Sequence, residues 1–400
     1  MTPAAPNPFT PGQIPRVLAG RVEELRRIGD QVARVAQYGE IGGPFLVFHA
    51  PRGIGKTSLL RAAQRRAEAA GCVTVWVACS RDRAFLPELV RGVARSLERA
   101  DVVPRAEAGR WRAVLDRVSV ELAVPGVPVK VSASVARRRQ PPPDPGAAPI
   151  AALEDLLHDA AVIVRGRGGA GLVVFVDELH AASPDEMSIL LNGIQNLDGD
   201  REQNPLAVVA AGLPVTPEAM TRAATFGERS AFVPLDLLAP ADARAALLDP
   251  AEALQVSWTA AAVSRIVEEA RGHPYFLQLL GSTTWGVAQP AAGGRLTMRD
   301  VHAGIPAARQ QIEAMHRARW NSATKGEQAF LLAMARAEDA GRASGNVTRA
   351  QIATLLDQDS RSISVPRERL IEKGVIEPVG HGLVRFTLPG FGAYVLGRAG

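Results

Sequence analysis

The stretch FLVFHAPRGIGKTSLL, residues 45–60, constrains the fold more than any other part of the chain. It joins a continuous apolar run, a glycine-rich turn and the start of a helical pattern. An uninterrupted apolar run is what a strand buried on both faces of a parallel sheet requires. The turn reads A-P-R-G-I-G-K-T from Ala50 to Thr57, against the phosphate-loop pattern G-x-x-x-x-G-K-[ST]. Only the first glycine is replaced, by Ala50 at the strand end. Alanine fits there with little penalty if its φ is negative. Gly53 and Gly55, the glycines nearest the phosphates, are present.

Pro51, Arg52, Gly53, Ile54, Gly55, Lys56, Thr57 and Ser58 are therefore expected to bind a nucleotide through its phosphates. Backbone N–H groups from Gly53 to Thr57, and the N-terminus of the following helix, would face the anion. Lys56 would reach the β- and γ-phosphates, and the Thr57 hydroxyl would bind Mg²⁺. The stretch GLVVFVDEL, residues 171–179, supplies the other half. Asp177 would hold the Mg²⁺ through water, and Glu178 would polarise the attacking water. A strand ending in a solvated acidic pair is common in isolation. The phosphate loop upstream turns it into a hydrolytic pair, with ATP and Mg²⁺ as the expected ligands.

CVTVWVAC (72–79) and PLAVVAAGLP (205–214) are further buried strands, and helical patterns cover 19–39, 56–71, 85–116 and 151–168. Strands alternating with helices make an α/β fold, here a P-loop NTPase with a parallel sheet. Residues 118–135 alternate on both sides of Pro125-Gly126, a hairpin pattern. The basic, proline-rich stretch 136–149 reads as a linker or exposed loop. Residues 240–315 carry helical patterns only. The last eighty residues hold three helical patterns, then two short alternating strands flanking Gly380-His381-Gly382. That is the layout of a winged helix-turn-helix. The expected organisation is an extended arm (1–15), a P-loop ATPase core (16–238, with an insertion over 118–149), a helical lid (239–319) and a winged helix domain (320–400).

The net charge of +5 on 400 residues favours an anionic partner only weakly. Cys72 and Cys79 make no disulfide framework or metal spacing and read as core residues in a reducing compartment. The proline-rich N-terminus lacks the basic start and apolar run of a signal peptide, and no window approaches the length of a membrane span. A cytoplasmic protein without a membrane segment is expected. His49, His180 and His273 lie beside the motifs at spacings that fit no metal site, and local hydrogen bonding is expected of them.

In this order, the parts resemble a bacterial group of AAA+-like ATPases related to origin-recognition-type initiators and to STAND signalling ATPases. The residues that carry the resemblance are NPFTPGQIPRVLAGRVEEL, APRGIGKTSLL, VVFVDELH, VVAAGLP, GERSAF, RGHPYFLQLLG and the C-terminal QIATLLDQDSRSISVPRERLIEKGVIEPVGHGLVRFTLPGF. The resemblance implies that Gly20 and Arg21 lie along the adenine. It implies that Arg229 reaches the γ-phosphate of a neighbour in a homo-oligomer, and that Pro274 sits at the lid beside the nucleotide. Two positions depart from the pattern. Tyr275 stands where a charge-sensing arginine is expected. Ala211-Gly212-Leu213 ends a strand that usually carries Asn, Thr or Ser to orient the water. Weak or partner-stimulated hydrolysis follows as an expectation.

ISVPRERLIEKG is expected to be the recognition helix. Arg361, Arg367, Arg369 and Lys373 lie on or beside it, with Arg385 on the wing, and these could contact double-stranded DNA. Residues 320–400 hold ten Lys/Arg against eight Asp/Glu, a weak basic footprint for such a role. A signalling scaffold whose winged helix binds protein is the alternative. A small-molecule kinase is disfavoured, because no acceptor pocket is evident.

Overall fold

In the computed structural model, residues 3–102, 111, 115, 118, 147–225, 227–341, 345–380 and 382–399 are described. The hairpin expected past Val118 and the basic, proline-rich stretch up to 146 lie outside the described residues. The chain divides into two compact units. One comprises Arg21–His49 and Leu59–Pro234; the other comprises Met1–Gly20, Ala50–Ser58 and Leu235–Gly400.

The first unit is built on a five-stranded sheet. Its strands are β1 (Leu46–His49), β2 (Val73–Ala78), β3 (Leu172–Asp177), β4 (Leu206–Gly212) and β5 (Ala231–Pro234). They lie in the order β2-β3-β4-β1-β5, and every pairing is parallel. β3 and β4 are buried at every position. The continuous apolar runs of the sequence are therefore central strands covered on both faces, as parallel sheets require. One face packs on the helices Phe85–Arg99, Ala147–Gly166 and Pro184–Gly199, around Val75, Val77, Val174, Val176, Leu153 and Leu157. Ser183 caps the last of these helices in a reciprocal capping box with Glu186, which satisfies two otherwise orphaned backbone donors.

Strand order, rather than any single strand, positions the chemistry. β4 lies between β1 and β3. Because the strands are parallel, His49, Gly212 and Asp177 end on one edge of the sheet. Ligands of open α/β sheets bind outside the carboxyl ends of the strands, where the order reverses.

The second unit is helical apart from short strands. The helices Pro240–Glu252, Ala260–Ala270, Pro274–Ala288 and Met298–Asn321 pack together, with the short parallel pair β6 (Ser257–Trp258) and β7 (Arg295–Leu296) beside them. The N-terminal arm is fastened to this bundle rather than free. Ala5 exchanges hydrogen bonds with Pro290 O and Trp285 Nε1. The buried Phe9 ring packs edge-on against Trp258 and Trp285. Gly281 makes room for it, since a Cβ there would come within 2.9 Å of the Phe9 ring.

The C-terminal stretch has helices Lys325–Gly341, Arg349–Leu356 and Ser364–Glu372, and a three-stranded antiparallel sheet. That sheet holds β8 (Val347–Thr348), β9 (Ile376–Gly380) and β10 (Leu383–Phe386) in the order β8-β10-β9. A closing helix, Phe391–Ala399, which the sequence reading did not include, packs Phe391 and Tyr394 around His316. No described helix is long and apolar enough to cross a membrane.

Candidate functional site

The phosphate loop leaves β1 at His49. Ala50 is buried, and it is absent from the residues with positive φ, so alanine at this strand end carries no backbone strain. Gly53 and Gly55 have φ of 87° and 96°, a region open to glycine at no cost and strained for other residues. A Cβ on Gly55 would meet nothing within 4 Å. The loop thus leaves open space at the glycine next to Lys56, where the helix Lys56–Ala69 begins. Lys56 is buried, and its Nζ donates to Ala50 O at 2.8 Å and Pro51 O at 2.9 Å. The loop is thus wrapped around its own lysine. These features fit a phosphate group: a curled glycine turn, a helix N-terminus and a lysine held at their centre.

Within the same unit, the start of the helix Pro274–Ala288 abuts the loop. Tyr275 N–H donates to Gly53 O at 3.3 Å. A Cβ on Gly53 would lie 2.6 Å from His273 Cε1, so this glycine is needed for close approach as well as for its φ. His273 is fully buried, and neither ring nitrogen makes a well-formed hydrogen bond among the described residues. Burial first, then the charge of Arg319, pushes its pKa down to about 4, opposed by the backbone of Arg52. The imidazole is therefore neutral. Sequence reading expected a local hydrogen bond here, and the structure provides packing instead. Pro274 occupies the first turn of its helix, where its missing N–H costs nothing. Arg319 sits near the end of Met298–Asn321 and donates to Gly374 O and Thr387 Oγ1 at 3.1 and 2.5 Å. Burial, then the charge of Arg52, lowers its pKa to about 10.

Gly20, with φ of 64°, packs against Asp242 and Leu238, which a Cβ would meet at 2.7–2.8 Å. In the sheet unit, Arg21 is buried and faces Glu24 at 3.5 Å.

The acidic pair closes β3. Asp177 is buried, and its Oδ1 accepts the Glu178 N–H at 2.9 Å. Glu178 sits in the left-handed region, with φ of 54° and ψ of 36°. A non-glycine residue there costs roughly 1–2 kcal/mol, and such outliers cluster at functional sites. Its Oε2 lies 3.5 Å from Nε2 of His180. His180 Nδ1 in turn accepts the Leu213 N–H at 3.3 Å. Arg61 stacks over Trp76, 3.4 Å from the ring centroid, and feels the charge of Asp177.

Arg229 lies at the other edge of the sheet. It ends a short turn before β5, whose first residue Ala231 pairs with Leu46, the first residue of β1. It is exposed and lines a cleft of about 230 Å³ with Arg34, Asp198 and Arg201.

The five basic residues predicted to contact DNA are not equivalent. Lys373 is paired with the buried Glu327 at 2.6 Å and also donates to Ser322 O. Arg385 is paired with Glu377 across β9 and β10. Arg367 is half-buried, with a buried Nε that has no hydrogen-bond partner among the described residues. Arg361, Arg369 and the ion-paired Arg385 are exposed.

Residues 17–209 match the AAA ATPase domain, and residues 313–395 match a Domain of unknown function (DUF8462). No curated protein matches the chain. Among solved structures, the chain is similar to the Walker-type ATPase PABY2304 of Pyrococcus abyssi. That match has a TM-score of 0.59 at 12% identity and covers 94% of this chain and 96% of that one. It also matches the Aeropyrum pernix ORC1 protein in complex with DNA (TM-score 0.45, 15% identity, 97% and 94% covered). A third match is Cdc6p of Pyrobaculum aerophilum (TM-score 0.42, 14% identity, 100% of both chains). The last two superpose too loosely to bear on function. The fold is that of the P-loop AAA+ ATPases.

Proposed function

We propose that this chain is an ATP-dependent molecular switch that binds Mg-ATP at residues 51–58, hydrolyses it slowly, and passes its nucleotide state to a C-terminal winged helix. The single observation that carries this reading is the phosphate loop leaving β1 while Asp177 and Glu178 end β3 on the same sheet edge. In this reading Lys56 pairs with the β- and γ-phosphates, and Glu178 is the general base that takes a proton from the attacking water. Gly20, Arg21 and Pro274 line the base and ribose side of the nucleotide. Thr57 and Asp177 would hold Mg²⁺, which when bound neutralises phosphate charge. Arg229 serves a neighbouring subunit: it stands at the opposite end of the strands from its own phosphate loop, about 13 Å away along four residues of strand. Slow turnover follows from that dependence on a neighbour, and from the lack of a polar side chain at 211–213.

The three helices and the β8-β10-β9 sheet support a winged helix for the C-terminal module. Arg361 and Arg369 are exposed cations of this module for a DNA backbone. A second reading gives that module a protein partner. It is supported by the ion-paired Lys373 and Arg385 and by Val365, 55% exposed on the helix Ser364–Glu372. Two measurements on the full chain test the proposal. ATP binding and turnover are compared between the natural protein and Glu178→Gln, and unchanged turnover in the variant removes Glu178 as the base. Duplex DNA binding is titrated with salt, where each phosphate contact contributes a slope of about −0.9. Absence of salt-dependent binding removes the DNA half and leaves the protein-partner reading.

A further inference from the structure

β4 ends in Ala211 and Gly212, and the structure shows why no side chain stands at 212. A Cβ there would lie 2.1 Å from Thr216 Oγ1 and 3.0 Å from Thr216 Cβ and Cγ2. Thr216 is fully buried, and its hydroxyl donates to Leu213 O at 2.6 Å. The strand end is closed to any orienting side chain. The main-chain N–H of Leu213, just past the strand, donates to Nδ1 of His180. With Nδ1 an acceptor, a neutral ring carries its proton on Nε2. That nitrogen lies 3.5 Å from the Glu178 carboxylate. The His180 side chain is 4% exposed, while Glu178 is 34% exposed. A fixed ring, braced on β4, therefore faces a carboxylate with room to move. The carboxylate is carried on the left-handed backbone of Glu178, adjacent to Asp177.

We infer that His180 is a positioning residue for Glu178: its Nε2–H, fixed by the Leu213 N–H, holds the carboxylate in the rotamer that meets the attacking water. His180 thereby supplies, from just after β3, the orientation that a polar side chain at the end of β4 cannot supply. The inference rests on the reading of Glu178 as the base. A group that positions a base acts only through that base, so its loss and the loss of the base are not additive.

The test uses the full chain with Mg-ATP. His180→Phe keeps the ring's bulk and removes its N–H, and His180→Gln keeps an N–H donor. Steady-state turnover, ATP affinity and thermal midpoint are measured for each variant, alone and combined with Glu178→Gln. The expected result for His180→Phe is a ten- to hundredfold fall in kcat, with ATP affinity within twofold of the natural protein and the fold retained. His180→Gln recovers part of that loss, and neither change lowers the residual rate of Glu178→Gln further. Full kcat in His180→Phe overturns the inference while a dead Glu178→Gln leaves the base assignment intact. An equal fall in both backgrounds overturns it too, since His180 then acts elsewhere. Unchanged turnover in Glu178→Gln sinks the base assignment, and this inference with it. The imidazole ¹⁵N shifts give a readout independent of activity and of variant folding. They are expected to show His180 protonated at Nε2, and protonation at Nδ1 refutes the proposed donor.

Discussion

Replacing Gly212 by alanine isolates one claim: that the end of β4 lacks a side chain because Thr216 fills the space. The glycine has no positive φ, so alanine changes nothing in the backbone and adds only one methyl group. That methyl would sit 2.1 Å from Thr216 Oγ1, so one of the two must move by more than 1 Å to reach ordinary contact. Thr216 cannot move freely, being fully buried and bonded to Leu213 O. Overpacking of this kind costs roughly 1–3 kcal/mol, and rotating the threonine away forfeits a hydrogen bond worth about 1 kcal/mol. A loss of about 2–3 kcal/mol is expected, which lowers the melting midpoint by roughly 4–12 °C for a unit of this size. Calorimetry with urea unfolding as a second probe measures it. Thr216→Ala alone should cost about 1 kcal/mol, and the double variant should recover about 1–2 kcal/mol relative to the sum. Gly212→Asn, which restores a water-orienting residue type, should be less stable than Gly212→Ala and no faster. The reasoning fails if Gly212→Ala unfolds with the natural protein, or if the two changes add without coupling.

Lys56→Ala removes the cation at the centre of the phosphate loop. Titration calorimetry should show loss of ATP binding, along with the stabilisation of about 2.7 kcal/mol that a ligand at a hundredfold its Kd confers on the natural protein. Stability should fall with acid through two histidines. His273 and His316 are each held down to about 4 from an ordinary 6.5, mainly by burial. Above pH 6.5 neither binds a proton in either state. As the pH drops toward 4, the unfolded chain takes up protons that the folded chain refuses, and each histidine removes up to roughly 1.4 kcal/mol per pH unit. His316→Phe, in its setting of Phe391 and Tyr394, should give a visibly shallower decline in urea midpoints between pH 7 and 5; an unchanged slope contradicts the burial argument. Arg229→Ala should leave ATP affinity intact and lower turnover only where subunits assemble. Mixing it with Lys56→Ala should restore part of the activity, since one mixed interface joins an intact loop to an intact arginine; no restoration places Arg229 outside catalysis.

Local pattern is enough to read an element when its reason is local. The runs at 45–48, 172–176 and 206–212 are apolar at every position because both faces of those strands are covered, and that burial is written into consecutive residues. The phosphate loop is equally legible, because both glycines are required by their own φ, whatever else Gly53 makes room for, and its lysine serves its own loop. The same holds for the acidic pair at the end of β3. What stayed hidden are the meetings of residues far apart in the chain. Lys373 and Glu327, separated by 46 positions, pair in the fold, so a cation predicted to face DNA already has a buried carboxylate as its partner. The helix Phe391–Ala399 was missed because its reason for existing is the aromatic contact with His316 on another helix.

The sequence by itself determined that this chain has a P-loop α/β core and a curled glycine turn around Lys56, because main-chain geometry and charge at that loop are set by eight consecutive residues. Only the tertiary structure decided what surrounds Glu178. Strand order puts β4 beside β3, and this brings Leu213 N–H to His180 across a gap of 33 residues. The local turn after β4, closed by the Thr216 bonds to Leu213 O, puts Thr216 where a side chain at 212 would go. The glycine that reads as a missing polar group is a packing requirement, and the partner of His180 across the sheet is one that no local spacing reveals.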